Sequence, residues 1–167
     1  SDGRILIYNI NKKEARVLNS LGSPIIDLNV ERGGRLIYAV LKSGGLMVSE
    51  DAGKSFIRRK KETDKIKALI VDLFNYSKIY AATKSGLVCS YDSGNKWRLL
   101  ETIPLEGAAI EAVAMSENGE IYAASGNKIY KSRDFGMNWQ ILDPKLGKRT
   151  VSTIAVNNGR IIVGSRK

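Results

Sequence analysis

A chain of 167 residues with 43% hydrophobic content is long enough for one globular domain, and no apolar run in it could span a membrane. The chain has no histidine and only one cysteine, Cys89, which excludes an internal disulfide and the common zinc and histidine-based catalytic sites. We therefore expect a soluble protein without metal or cofactor, and its net charge of +10 favours an acidic partner without identifying it.

Short β-branched and aromatic runs alternate with Gly, Asn and Ser turns along the chain, and this pattern predicts an all-β fold. One strand occurs in four copies, at residues 34–39, 77–82, 119–124 and 159–164. A second apolar strand precedes each copy, at residues 25–30, 66–71, 110–115 and 151–156. A period of this length indicates a repeat architecture.

Two outer strands follow in each repeat, which gives four-stranded units whose strands we label a, b, c and d. Units 25–62, 66–103 and 108–143 are complete and have the length of a propeller blade. Residues 151–166 supply only strands a and b, whereas residues 4–20 supply only strands c and d. We predict a single β-propeller domain over residues 1–167.

The turn between strands c and d carries the same pattern, S-x-D-x-G-x-x-aromatic, in every complete unit. Its residues are Ser49, Asp51, Gly53 and Phe56 in the first unit, Ser90, Asp92, Gly94 and Trp97 in the second, and Ser132, Asp134, Gly136 and Trp139 in the third. Aspartate can accept bonds from the amides of a tight turn, glycine allows a positive φ, and the aromatic returns onto the sheet.

This pattern resembles the Asp-box, or BNR, repeat of sialidase-type and sortilin-type β-propellers. In such families the box is a folding device on the side away from the active site, so the resemblance implies a structural role for its residues. Calcium binding is the alternative. It is disfavoured because each box offers one carboxylate, whereas calcium needs several converging oxygen ligands.

The two chain ends together contain the strands of one further blade. Read end to end, they follow the sequence of the first unit in register, which predicts a pair between strand b near Ile161–Val163 and strand c near Ile5–Tyr8. The expected fold is therefore a four-bladed ring closed by this mixed blade. Two alternatives remain open: a fragment of a larger propeller and a two-chain ring of eight blades.

Charge is unequally divided between the two rims of the predicted ring. The d–a and b–c connections, here called the top rim, hold eleven basic and five acidic residues, while the bottom rim holds nine of each. The candidate binding face consists of the top-rim residues Lys60, Lys61, Lys65, Lys145, Lys148 and Arg149. Ordinary surface charge, typical of a thermophile's lysine-rich composition, is the alternative.

Glycoside cleavage is a candidate function because sialidases carry Asp-boxes. The Arg-Ile-Pro signature of sialidases is missing, and the polar inner-strand residues Asp27, Lys67 and Glu111 lie on three different blades. Alanines at positions such as 68 and 112 predict a narrow axis with little room for a sugar. No catalytic residue is therefore assigned, and the chain is not expected to be an enzyme.

The sequence predicts a non-catalytic interaction module, a domain of a larger protein or assembly, that binds a protein or another acidic partner. A glycan-binding or hydrolase-like propeller and a nucleic-acid-associated protein are the alternatives. The top loops lack the aromatics expected for single-stranded nucleic acid. No signal peptide is recognisable, although the resemblance favours an extracytoplasmic or cell-surface location.

Overall fold

The computed structural model describes residues 2–59, 65–100, 108–157 and 159–167, and all regular structure in these ranges is β. The strands, in chain order, are β1 (Arg4–Asn9), β2 (Glu14–Ser20), β3 (Ile25–Val30), β4 (Ile37–Leu41), β5 (Leu46–Ser49), β6 (Ile57–Arg58), β7 (Ala68–Val71), β8 (Ile79–Ala82), β9 (Leu87–Ser90), β10 (Arg98–Leu99), β11 (Ala112–Met115), β12 (Ile121–Ser125), β13 (Lys128–Ser132), β14 (Gln140–Leu142), β15 (Thr150–Asn157) and β16 (Arg160–Arg166). No helix in these ranges is long and apolar enough to cross a membrane.

Three antiparallel sheets have four strands each, in the order β3-β4-β5-β6, β7-β8-β9-β10 and β11-β12-β13-β14. We call them blades 1, 2 and 3. Their strands follow the predicted order a to d, although the end of unit 25–62 and the end of unit 66–103 lie outside the described residues. The all-β prediction is confirmed, while the assignment of residues 1–167 to one domain stays a prediction.

The core is divided into layers between successive sheets because both faces of the b and c strands are apolar. Tyr38 and Val48 of blade 1 share a buried cluster with Leu69 and Ile79 of blade 2. The opposite face of blade 2 packs in the same way on blade 3, and blade 3 packs on the β15–β16 sheet. Face-to-face packing of neighbouring sheets is the arrangement that blades of a propeller require.

The predicted closing blade is not formed. Strand β1 is hydrogen-bonded to β2 alone and strand β16 to β15 alone, so the chain ends form two separate two-stranded sheets. The predicted pair between Ile161–Val163 and Ile5–Tyr8 was therefore wrong for this structure. The β15–β16 sheet packs on blade 3, and Asn19 of β2 donates a hydrogen bond to Lys54 O in the hairpin of blade 1. The two small sheets therefore lie at opposite ends of the row of three blades. Four blades in a ring are not demonstrated.

Candidate binding face

The two sets of connections lie at opposite ends of the strands, as antiparallel order requires. On the top rim, each b–c turn bonds to a neighbouring segment: Lys42 N donates to Pro24 O (2.7 Å), and Ile110 N donates to Thr83 O (2.9 Å). On the bottom rim lie the a–b turns and the three hairpins with the Asp-box pattern. The two sets of connections therefore form two opposite rims, as predicted.

Each bottom hairpin is held by the same set of bonds. The serine hydroxyl donates to the aspartate, at 2.8 Å in Ser49–Asp51, Ser90–Asp92 and Ser132–Asp134. The serine oxygen also accepts from the glycine amide, at 2.7 Å from Gly53 and 2.8 Å from Gly94 and Gly136. The aspartate Oδ1 in turn accepts the amide four residues later, at 2.8–2.9 Å. These residues thus use their polar atoms within the turn.

The hairpins place two successive residues in the left-handed region. In the second hairpin Ser93 has φ of 56° and Gly94 has φ of 85°, and the other two hairpins repeat this geometry. The sequence pattern indicated the glycine but not its neighbour, because alanine, serine and phenylalanine precede the glycine in turn. A side chain at Gly94 would collide with Leu46 of blade 1, so glycine is also required for close packing between blades.

The hairpins also connect neighbouring blades, which the sequence did not reveal. Tyr38 of blade 1 donates its hydroxyl proton to Tyr76 O (2.7 Å), and its hydroxyl oxygen lies within hydrogen-bond distance of Ser93 Oγ (3.0 Å), both in blade 2. Tyr80 of blade 2 donates to Phe135 O in the hairpin of blade 3 at 3.5 Å. Trp97 and Trp139 are half-buried against the neighbouring core clusters, and Phe56 is half-buried in the same position of blade 1.

Two further bottom-rim carboxylates, Glu31 and Asp72, are bonded in the same way. Glu31 accepts the amides of Gly33 (2.5 Å) and Arg35 (2.7 Å), and Asp72 accepts the amide of Phe74 (2.9 Å). These bonds close the a–b turns of blades 1 and 2. The bottom rim therefore has equal numbers of basic and acidic residues, and several of its carboxylates accept hydrogen bonds from their own turns.

The hydrogen bonds lower the pKa values of the box carboxyls. The hydroxyl and amide of Ser55 lower the pKa of Asp51 to about 2. The amide of Lys96 lowers the pKa of Asp92, and the amide of Asn138 lowers that of Asp134. Each shift reflects a preference for the ionised carboxylate, which accepts more hydrogen bonds than the acid form.

The top rim differs because its lysine and arginine side chains extend from a loop whose backbone is held by hydrogen bonds. In the loop between β14 and β15, Asn127 Nδ2 donates to Gly147 O (2.8 Å), and Lys145 N donates to Asp143 Oδ1 (2.8 Å). Leu146 packs against the cluster between blade 3 and the β15–β16 sheet. The loop is thus anchored by its apolar residue and its backbone, while Lys145, Lys148 and Arg149 are exposed.

The other predicted site residues lie at the top rim or outside the described part. Lys65 is exposed, and a side chain at Gly44 would collide with it, so the b–c turn of blade 1 lies directly against the segment entering blade 2. Lys60 and Lys61 are outside the described residues. Among residues 2–59, 65–100, 108–157 and 159–167, no ion pair involves Lys65, Lys145, Lys148 or Arg149.

A charged cluster lies where the top rim meets the inner strands. Glu111 Oε1 pairs with Lys67 Nζ at 2.5 Å, and Glu111 Oε2 pairs with Arg166 Nη2 at 3.1 Å. Lys67 precedes the neighbouring inner strand, whereas nothing in the position of Arg166 on the last strand indicates a partner in blade 3. This cluster carries one net positive charge and links three successive sheets.

Asp27 is not part of this ion-pair cluster. Its Oδ2 accepts a hydrogen bond from the amide of Leu69 (2.7 Å), and this bond joins blades 1 and 2. Its Oδ1 accepts a hydrogen bond from the side chain of Asn29 (3.3 Å). Burial raises the pKa of the Asp27 carboxyl despite these bonds. The two inner carboxylates, Asp27 and Glu111, thus both have structural partners.

The inner strands line an open cavity of about 500 Å³, with Asp27, Lys67 and Glu111 among its lining residues. The alanines predict a narrow axis, whereas the inner strands of this structure, which do not form a closed ring, border a wider space. Chemically, the cavity and the rim above it offer ammonium and guanidinium donors beside a hydrogen-bonded carboxylate. Such a surface can bind anionic groups.

Comparison with solved structures shows a propeller-type fold. The chain is similar to YCF48 from Cyanidioschyzon merolae (TM-score 0.75, 16% identity), covering 99% of this chain and 59% of that one. It is also similar to YCF48 bound to a D1 peptide (TM-score 0.63, 14% identity), covering 98% of this chain and 57% of that one. An ancestral GH74 enzyme matches with a TM-score of 0.69 and 20% identity, over 86% of this chain and 22% of that one.

These likenesses concern the fold alone, because all three identities are low. No protein-family profile and no curated protein sequence matches the chain, so the Asp-box assignment stays a resemblance. The chain spans less than two thirds of each of these structures. The family relationship that the comparisons support is therefore limited: the chain has the architecture of propeller-type proteins that include YCF48 and a GH74 enzyme.

Proposed function

We propose that the chain is a non-catalytic protein-interaction module whose top rim binds an acidic polypeptide segment. The observation that carries this proposal is the group of exposed cations on one ordered loop of the top rim. The box aspartates and Glu31 accept hydrogen bonds within their own turns. The top-rim residues Lys145, Lys148 and Arg149 instead project from an anchored loop without an ion-pair partner in the described residues. Exposed cations on an ordered loop can steer and hold an acidic partner.

The likeness to YCF48 supports a peptide or protein as the partner class, since one YCF48 structure has a D1 peptide bound. The likeness to a GH74 enzyme supports the hydrolase alternative only through the fold. The partners of the two inner carboxylates argue against hydrolysis. Asp27 accepts a hydrogen bond from the Leu69 amide, and Glu111 forms ion pairs with Lys67 and Arg166. A glycosidase needs two carboxylates poised about one glycosidic bond.

A binding titration tests the proposal. A fluorescein-labelled oligoglutamate peptide would be titrated with wild type, with Lys148→Glu/Arg149→Glu and with Arg32→Glu/Arg35→Glu, at several salt concentrations. The two double variants change net charge equally, and all four side chains are exposed. We expect about a tenfold loss of affinity and a flatter salt dependence from the top-rim variant, with little change from the bottom-rim variant.

Equal losses in the two variants would mean that only total charge matters, and the top rim would then have no special role. Tighter binding of a single-stranded oligonucleotide than of oligoglutamate would favour the nucleic-acid alternative instead. An absence of binding by wild type at low salt would contradict recognition of acidic segments altogether.

A further inference from the structure

An exposed apolar patch lies at the bottom ends of the inner strands, where the a–b turn of blade 2 projects. Phe74 and Leu73 in this turn are 70% and 46% exposed, and Val30 at the end of β3 is 53% exposed. They border an open groove of about 410 Å³ that Ile70 and Met115 also line. All five residues belong to the three complete blades. Single apolar side chains on a surface are ordinary, whereas a set that shares one groove indicates a binding site.

The projecting turn is longer than its equivalents and is closed by its own hydrogen bonds. The a–b turns of blades 2, 1 and 3 contain seven, six and five residues, at positions 72–78, 31–36 and 116–120. In blade 2, Asp72 Oδ1 accepts the amides of Phe74 (2.9 Å) and Asn75 (3.1 Å), and Lys78 N donates to Asn75 O (2.8 Å). The extra length therefore lets Phe74 project from the sheet without leaving the turn unbonded.

Contacts with both neighbouring blades hold this turn in place. Towards blade 1, Tyr76 O accepts the hydroxyl proton of Tyr38 (2.7 Å). Towards blade 3, the Phe74 ring lies so close to Gly119 that a Cβ atom there would meet Phe74 Cε2 at 2.9 Å. Phe74 is thus an exposed aromatic residue on an ordered turn. Such a side chain has little conformational freedom left to lose on binding, and aromatic residues dominate the binding energy of many interfaces.

The charge that the groove offers to a partner is negative. Asp72 pairs with Lys78 (3.7 Å), and the charges of Glu31 and Arg32 offset each other on the blade 1 side. Glu117 lies on the blade 3 side and is exposed. Its carboxylate has no hydrogen-bond or ion-pair partner in the described part of the chain. A cation beside the apolar surface would therefore complement the groove.

We propose that this groove, here called the bottom groove, binds a protein segment that carries a large apolar side chain next to a lysine or arginine. The apolar side chain packs on Phe74, Val30 and Met115, and the neighbouring cation pairs with Glu117. Nucleic acid and anionic lipid are disfavoured because their phosphates would lie against the Glu117 carboxylate. Binding in the bottom groove does not depend on the cations of the top rim, so the two rims select partners of opposite charge.

A titration with three short peptides tests this without altering the chain. Isotopically labelled chain would be followed by NMR during addition of Gly-Ser-Lys-Phe-Lys-Ser-Gly, of the same peptide with alanine in place of phenylalanine, and of the same peptide with glutamate in place of both lysines. We expect the first peptide to shift the amides of residues 73–76 and 117–119 in a saturable way. Measured at these amides, the two altered peptides should bind at least about tenfold more weakly.

Two chain variants with matched controls locate the binding groups. Phe74→Ser should weaken binding of the first peptide at least about tenfold, whereas Met137→Ser, at a residue that is 63% exposed in the hairpin of blade 3, should change it less than about twofold. Glu117→Lys should weaken binding about threefold or more, and Glu14→Lys, at an exposed carboxylate on β2, should not. Urea unfolding of each variant shows whether it remains folded.

Three results would overturn the proposal. Equal affinity for the phenylalanine and alanine peptides would show that the groove does not bind an apolar side chain. Equal affinity for the lysine and glutamate peptides at the groove amides would show that Glu117 does not select a cation. Shifts that are absent, or that lie away from residues 73–76 and 117–119, would show that the bottom groove is not a site. None of these results bears on oligoglutamate binding, which tests the top rim separately.

Discussion

The bottom rim and the top rim are built from the same repeats but differ in what orders their turns and loops. On the bottom, Asp51, Asp92 and Asp134 bind the amides of their own turns, and Glu31 does the same for an a–b turn. On the top, the loop bearing Lys148 and Arg149 is anchored by Leu146 and by backbone bonds. The bottom-rim aspartates thus stabilise the turns that contain them, whereas the top-rim Lys148 and Arg149 are exposed by a loop that other residues hold in place.

The largest effect that we expect concerns the aromatic anchor of a bottom hairpin. Trp97→Ala should lower the free energy of unfolding by about 3 kcal/mol, because the indole packs against the cluster between blades 1 and 2. Met137→Ala, at a residue that is 63% exposed in the hairpin of blade 3, should cost less than about 0.5 kcal/mol. Urea unfolding measures both. Similar losses would show that the tryptophan is not an anchor.

Loss of a box carboxylate should have a smaller effect. Asp92→Ala removes the acceptor of the Lys96 amide and of the Ser90 hydroxyl, and we expect a cost of about 1–2 kcal/mol. Glu117→Ala removes an exposed bottom-rim carboxylate outside the boxes and should be close to neutral. If Asp92→Ala were as stable as wild type in urea, the turn role of the box would be refuted.

Acid should weaken the boxes in a defined pH range. The pKa of Asp51 is about 2 in the folded chain against an ordinary value of 3.8, so the ionised form is the one that folding favours. Its contribution is complete above pH 3.8 and is lost as the pH falls through about 2. Unfolding of wild type and Asp51→Asn should be compared between neutral pH and this range. Parallel pH curves would contradict the assignment.

The smallest stability effect belongs to the top rim. Lys148→Glu/Arg149→Glu should change the free energy of unfolding by less than about 0.5 kcal/mol, because both side chains are exposed and without an ion pair in the described residues. Urea unfolding beside Arg32→Glu/Arg35→Glu measures this. A large loss of stability in the top-rim variant would mean that these residues support the fold.

The repeat pattern predicted much of the fold because strand alternation and turn chemistry are local properties. Strand β3 has the predicted bounds Ile25–Val30, and the b strands lie where their copies indicated. Contacts between blades were not predictable, since the bond from Tyr38 to Ser93 joins residues 55 positions apart. Closure was mispredicted for a related reason: matching strand sequences indicate equivalent positions in the repeat, but not that β16 and β1 lie next to each other.

The predicted site was only partly accessible to sequence reasoning. Charge counting predicted a basic rim, because the alternation of connections follows from antiparallel order, and its role as a binding face stays a prediction. It could not show that Leu146 anchors the loop of Lys148, or that Arg166 turns inward to Glu111. It also gave a closed axis where the structure has a cavity of about 500 Å³, since small side chains do not determine how far apart the sheets lie.

The central claim, that the top rim is the working surface, is tested most directly by locating a bound acidic peptide. Amide chemical shifts of isotopically labelled chain would be followed by NMR during titration with unlabelled oligoglutamate. We predict that the largest shifts occur at Lys65, Lys145, Lys148 and Arg149, and that amides of the bottom hairpins around Asp92 and Asp134 remain nearly unchanged. Shifts concentrated at the bottom rim, or spread evenly over both rims, would contradict the account.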